Sequence, residues 1–413
     1  MKAAKKSLVI VIKLGTSSIC DETSHAPLIS NLSNIVETVV KLRKEGHKVV
    51  IVSSGGIGMG LRRMDLDKRP KRLPAVQAIA AIGQSRLMAL YDDLFEHLRQ
   101  PVAQILLTRN DIADRTQYLN AANTLNELLQ MGVVPIVNEN DTIAVSEIKF
   151  GDNDTLSALT SGMVNADYLF LMTDVDCLYT SNPRKDPNAK PIQVVHDISQ
   201  LKADVTSSGS RVGTGGMVTK IIAAELATSV GVTTVIARGS EPQNIFEIVD
   251  YISKQSSRPD VPLAVEPNFV GEPPLHTCFV PKPKSIGDRG FWLSHGLSPR
   301  GKIFVDKGAY HALSRTERAA LLPSGILQVE GSFSAQQAVD LFVSRRLENG
   351  NVEPLNPISF GRALVNYSSI EINKIKGLKS SLIESVLSYA DSDCVAYREN
   401  IAIKNIFPLD EIT

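Results

Sequence analysis

Cysteine is scarce in this chain of 413 residues: Cys20, Cys177, Cys278 and Cys394 lie far apart, and no two form a Cys-x-x-Cys pair. That spacing excludes a disulfide framework and a zinc knuckle, and predicts reduced thiols in a cytoplasmic protein. Long apolar runs are missing too. The first, Leu8 to Ile12, is shorter than a signal-peptide core or a membrane span requires, so no membrane association is expected. Neither sign of charge is in excess, because 44 basic and 44 acidic residues cancel. With aromatics at only 5%, this balance argues against a dominant nucleic-acid surface. Gly-x-Ser-x-Gly and His-Glu-x-x-His are absent, and the seven histidines do not cluster, so no hydrolase chemistry competes.

Hydrophobic residues make up 43% of the chain, enough for real cores, and the length favours two domains. Through the first 255 residues, short apolar runs alternate with helical patterns. Strands are expected at Leu8–Leu14, Lys48–Ser53, Val102–Thr108, Val133–Val137, Tyr168–Met172 and Thr233–Ala237. Helices are expected near Leu28–Glu45, Pro74–Arg99, Tyr118–Met131, Thr155–Asn165 and Met217–Val230. Runs that are apolar on successive residues suit central strands covered on both faces. The pattern therefore predicts an α/β fold: an open, mostly parallel sheet sandwiched by helices, with ligands beyond the carboxyl ends of the strands. Seven prolines between Pro259 and Pro283 break regular structure, so residues 256–297 read as a linker or extended crossing. Short strands joined by Gly, Ser and Pro turns then predict a small β-barrel over 298–380. Residues 381–413 form a C-terminal segment that packs back on the barrel. The first domain is expected to span residues 1–255.

Residues 133–154, VVPIVNENDTIAVSEIKFGDND, carry the strongest functional signal. An apolar strand runs into Asn138, Glu139, Asn140 and Asp141. After a short two-stranded excursion comes a second cluster, Asp152, Asn153 and Asp154. Amides beside carboxylates at a strand end suit a small zwitterion: acceptors meet its ammonium, donors its carboxylate. An Asn/Asp-rich turn would account for either cluster alone. Two clusters bracketing one hairpin, with lysine-bearing glycine loops elsewhere, favour a site. One such loop is Lys13-Leu14-Gly15-Thr16-Ser17, where a strand-end lysine and nearby donors suit phosphate oxygens. Another is Ser53-Ser54-Gly55-Gly56, whose glycines let backbone amides approach an anion. The third is Thr214-Gly215-Gly216-Met217-Val218-Thr219-Lys220, glycines entering a helix. Thr173-Asp174, at the end of another strand, could complete a nucleotide pocket. By contrast, GLSPRGKI at 296–303 imitates a P-loop, but it has Ile303 where Ser or Thr belongs and runs into a strand pattern.

Taken together, KLGTS at 13–17, SSGGIGMG at 53–60, AIGQSRLM at 81–88, LLTRNDI at 106–112, NENDTIAVSEIKFGDND at 138–154, LMTDVDCLYTSNPR at 171–184 and GTGGMVTK at 213–220 resemble the glutamate 5-kinases of the amino acid kinase family. The form resembled carries a C-terminal PUA domain, here matched by GKIFVDKGA, LLPSGILQVEG and ISFGRALVNYSS. The resemblance implies ATP-dependent phosphorylation of the L-glutamate γ-carboxylate for proline biosynthesis, with magnesium held mainly by the ATP phosphates and no dedicated metal site. It implies that Ser54, Asp141 and Asn153 bind glutamate. Thr173, Asp174 and Thr214 to Lys220 would bind ATP. Lys13 and Lys220 would sit on the transferring phosphoryl group, organised by Asp154. Many relatives have Thr-Ser-Gly-Ala where this chain has Ser53-Ser54-Gly55-Gly56, a departure that keeps Ser54. Feedback inhibition by proline, a homo-oligomer and hand-over of product to glutamyl phosphate reductase are implied as well. Two alternatives stay open from the sequence: another amino acid or carbamate kinase of the same fold, and RNA binding through the PUA domain.

Overall fold

The computed structural model describes residues 7–144, 153–183, 186–198, 201, 216–256, 273–281, 288–315, 319–347, 352–390, 392–404 and 406–407. The chain divides into two compact units: one of Met1–Ile112 and Thr116–Ser285, the other of Ile286–Thr413 with Ala113–Arg115.

The first unit is built on β1 (Val9–Leu14), β2 (Lys48–Ser53), β3 (Val102–Leu107), β4 (Val134–Glu139), β5 (Tyr168–Thr173), a hairpin of β6 (Leu178–Tyr179) and β7 (Pro191–Ile192), β8 (Val194–Val195), β9 (Thr233–Arg238) and β10 (Thr277–Phe279). The main sheet runs β3-β4-β2-β1-β5-β9-β10-β8. Every pairing is parallel except β9 with β10. Each of the six expected strands forms, within two residues of its expected bounds. The helices are α1 (Thr16–Ile19), α2 (Ile29–Lys44), α3 (Gly56–Arg63), α4 (Leu73–Glu96), α5 (Arg109–Ala113), α6 (Arg115–Gln130), α7 (Asn153–Met163), α8 (Met217–Ser229) and α9 (Asn244–Ser256).

Strand alternation decides which side of this sheet becomes a site. Ile10, Ile12 and Leu14 of β1 face a core shared with Leu32 and Ile35 of α2, Tyr91 and Phe95 of α4, and Ile245 and Ile248 of α9. Successive side chains point to opposite faces, so Lys13 emerges on the other side, where α7 packs against β1.

One expectation is corrected within the proline-rich stretch. Thr277–Phe279 is not part of a linker: it is β10, an antiparallel strand on β9 that also pairs with β8. Three residues flanked by prolines are too short to register as a strand pattern, yet all three are buried. The hairpin expected after Asp141 falls on residues 145–152, outside the described residues.

The second unit contains α10 (Asp288–Phe291), β11 (Gly301–Val305), α11 (Lys307–Ser314), β12 (Ile326–Gly331), β13 (Ala338–Arg346), β14 (Val352–Pro354), β15 (Gly361–Leu364), α12 (Ser369–Ile375), α13 (Ile383–Leu387) and β16 (Ile401–Ile403). Its strands run β12-β11-β13-β15-β16, with β14 on β13. Ile303, Val339, Leu341, Phe360 and Ile401 close a separate core. The C-terminal segment therefore supplies a strand to this sheet, through β16 on β15. Lys302 of the P-loop imitation sits in β11 and pairs with Glu330, as its strand pattern predicts. All four cysteines are free and buried, and burial pushes the Cys20 and Cys177 thiols up to about 11. No described helix is long and apolar enough to cross a membrane.

Candidate active site

Three of the residues singled out in the sequence meet at one point. Asp154, in the first turn of α7, is fully buried. Its Oδ1 lies 2.7 Å from Lys13 Nζ at the end of β1, and its Oδ2 lies 3.3 Å from Lys220 Nζ in the opening turns of α8. Thr219 donates to Oδ2 at 2.7 Å and accepts from the Gly216 N–H at 3.0 Å. Lys13 and Lys220 are themselves only 4% and 6% exposed. A buried ammonium without a partner would be prohibitively unfavourable, so the carboxylate is what lets two lysines occupy this depth. Burial alone would raise the Asp154 pKa. The charge of Lys13, then that of Lys220, and the Lys13 and Thr219 hydrogen bonds overcome it and hold the carboxyl down at about 2.

A second group forms at the ends of β2 and β4. Asn153, one residue before Asp154, directs Nδ2 to Ser54 Oγ at 3.0 Å, to the Ser53 carbonyl at 3.1 Å and to Asn138 Oδ1 at 3.0 Å. Among the described residues, Asn153 Oδ1 is buried without a hydrogen-bond partner. Ser54 is tied to β1 through its N–H, which donates to the Leu14 carbonyl at 3.0 Å. Gly55 follows in a left-handed conformation with φ of 98°, which glycine adopts without the steric cost a Cβ would bring. This turn starts α3 and holds Ser54 beside Asn153. Asp141 is half-buried in the turn after β4, where its N–H donates to the Glu139 carbonyl at 3.0 Å. Asn153 and Asp154 are adjacent on α7, so the amide group and the lysine group abut.

Thr173 and Asp174 lie at the carboxyl end of β5, the strand beside β1. Thr173 Oγ1 donates to Asp174 Oδ1 at 3.1 Å. Both line an open hollow of about 650 Å³ with Ser17, Asn31 and Ser240. Met217 and Val218 open α8, the first half-buried and the second exposed. Thr214 and Gly215 lie outside the described residues. Among the described residues no group of three His, Cys, Asp or Glu side chains could hold a metal ion.

One participant, Gln84, was not singled out in the sequence, and a second was read only in part. Asn138 was visible as part of a polar cluster, but its bridging place between Asn153 and α4 was not. Its partner there, Gln84, donates nothing to Asn138: Gln84 Oε1 accepts from Asn138 Nδ2 at 2.8 Å. The available signal was the recurrence of amides two turns apart, Gln77 and Gln84, with Gln84 beside Gly83 on α4.

Comparison with known proteins matches residues 9–238 to the amino acid kinase family and residues 301–387 to the PUA domain. The chain is 59% identical to a probable glutamate 5-kinase of Schizosaccharomyces pombe, over 98% of this chain and 96% of that protein. It is 47% identical to an uncharacterized protein of Saccharomyces cerevisiae, over 96% of this chain and 98% of the other. A glutamate 5-kinase of a Synechococcus species is 45% identical, over 97% of this chain and 100% of its own length.

Proposed function

Because the chain belongs to the amino acid kinase family, we propose that it transfers the γ-phosphoryl group of ATP to the γ-carboxylate of L-glutamate. The product is γ-glutamyl phosphate, the first intermediate of proline biosynthesis from glutamate. Relatives named as glutamate 5-kinases over nearly the whole chain support this reading. The observation that carries it in the fold is the convergence of Lys13 and Lys220 on Asp154.

A carboxylate is already a nucleophile, so the reaction asks for no strong general base. The difficulty lies in bringing one anion against another and supporting charge spread over the transferring phosphoryl oxygens. Lys13 and Lys220 supply the positive charge, and Asp154 fixes where their ammonium groups point. Thr219 braces Asp154 and the start of α8, whose amide end favours phosphate. Ser54, Asn153 and Asp141 hold the amino acid on the side of β2 and β4, with Asn153 Oδ1 offering an acceptor to its ammonium. Thr173, Asp174 and residues 214–220 hold the nucleotide on the side of β5 and α8. Magnesium would be held mainly by the phosphates of the bound nucleotide. Asp154 is already engaged by two lysines, so the exposed Asp174 would be the carboxylate offered to the hydrated ion, which would neutralise phosphate charge there.

The test is chemical trapping. With ATP, magnesium, L-glutamate and hydroxylamine, an acyl phosphate is captured as γ-glutamyl hydroxamate in step with ADP release. ADP release without hydroxamate would overturn the assignment.

A further inference from the structure

Helix α4 runs behind both substrate loops and touches each of them. Tyr91 OH lies 3.0 Å from Ser53 Oγ, and Gln77 Nε2 donates to the Ala144 carbonyl at 3.3 Å. Between these two contacts sits Gln84, whose amide lies against Gly56 of the Ser54 loop: a Cβ built on Gly56 would be 3.3 Å from Gln84 Oε1.

Two backbone groups fix the direction of the amide relay that ends at Gln84. The Ser53 carbonyl can only accept, so the Asn153 atom 3.1 Å from it is Nδ2. The Glu139 N–H can only donate, so the Asn138 atom 2.9 Å from it is Oδ1. That same oxygen accepts from Asn153 Nδ2 at 3.0 Å. Asn138 Nδ2 is thereby turned to Gln84, which must present Oε1 to it at 2.8 Å. Every amide orientation follows from its neighbour, and one atom is left over at each end. Asn153 Oδ1 is an acceptor and Gln84 Nε2 is a donor; both are buried, and among the described residues neither has a hydrogen-bond partner. Buried polar groups left unpaired are costly and uncommon, and such a pair at a ligand site marks the places where ligand groups complete the network.

We propose that Gln84 is a further substrate-binding residue, whose Nε2 donates to the α-carboxylate of the amino acid while Asn153 Oδ1 accepts from its ammonium. The inference rests on the reading of this site as an amino acid acceptor site. The opposite polarity of the two leftover atoms carries it: an α-amino acid presents one donor group and one acceptor group on a single carbon. A purely structural Gln84 would need only the oxygen that Asn138 uses.

Gln84→Glu separates the two roles, because it keeps an acceptor for Asn138 and replaces the donor with an anionic oxygen. The measurements are KM for glutamate, KM for ATP, and the inhibition constant of γ-aminobutyrate, which retains the ammonium and the γ-carboxylate but lacks the α-carboxylate. Expected are a rise in glutamate KM on the order of 10²-fold, an unchanged ATP KM and a much smaller shift for γ-aminobutyrate. An unchanged glutamate KM, or an equal loss for both ligands, overturns the inference. Should Gln84→Glu fail to fold by circular dichroism, Gln84→Met takes its place. Disturbance of Asn138 then weakens both ligands alike, and only an excess loss against glutamate supports the donor role. Absence of glutamate-dependent turnover in the parent enzyme would sink the proposed function and this inference with it. Turnover in the parent with no discrimination by the variants sinks this inference alone.

Discussion

Lys13 and Lys220 are separated by most of the first unit's sequence, yet a single carboxylate fixes both ammonium groups. If they act on the transferring phosphoryl group, Lys13→Ala or Lys220→Ala lowers kcat by at least about 10²-fold and leaves the glutamate KM nearly unchanged. Steady-state kinetics on folded variants decides this; an unaltered kcat removes that lysine from the mechanism. Ser54→Ala and Asp141→Ala behave oppositely, raising the glutamate KM while ATP affinity measured by calorimetry stays at the parent value. Loss of ATP binding with glutamate binding kept would reverse that partition. Asp154 also leaves a signature in stability. Its carboxyl is held below the ordinary value of 3.8, at about 2, in the folded protein. A depressed folded pKa stabilises above the unfolded value, and that contribution is lost as pH falls through the folded one. Urea unfolding should therefore show the parent more stable than Asp154→Asn at neutral pH, with the difference shrinking between about pH 4 and 2. Parallel curves across that window would mean that the carboxylate is not ionised in the folded protein.

Among the elements, the crossing of α3 and α4 sets where the Ser54 loop lies. A Cβ on Gly83 would lie 1.7 Å from the Gly56 carbonyl oxygen and 2.4 Å from the Gly60 nitrogen. Gly83→Ala must push α3 off α4, at a cost of about 2 kcal/mol or more, and shift Ser54 with it. Thermal unfolding and glutamate KM should worsen together; a variant with parent Tm and KM would show that the helices separate freely. This crossing was not legible in the sequence, because glycines inside a helix pattern report only that something comes close. The strands were legible: apolar runs such as VVIV at 49–52 exist because both faces of the sheet are covered. Lys13, Asp154 and Lys220 were legible as residue types placed at strand and helix ends. Their meeting point depends on β1 and β5 being neighbours, a long-range pairing that no local pattern encodes. The same limit hid β10, whose three residues become a strand only because β8 and β9 receive them. Gln84 stayed hidden because an amide on a helix reads as a solvated side chain until Asn138 is placed against it.

For the molecule as a whole, each unit has its own hydrophobic core, and every residue assigned to catalysis or binding lies between Lys13 and Lys220. A chain ending at Ser285, where the first unit ends, should unfold cooperatively and retain glutamate-dependent ATP turnover. A natively folded truncation without turnover would show that the second unit helps to build the active site. The most direct test of the central claim uses the full chain: initial rates of ADP release with L-glutamate, L-aspartate, N-acetyl-L-glutamate and carbamate offered separately as acceptors. The account predicts turnover that depends on glutamate and far exceeds that with the other three. Carbamate or N-acetylglutamate turning over faster than glutamate, or ADP release indifferent to the acceptor, would contradict it.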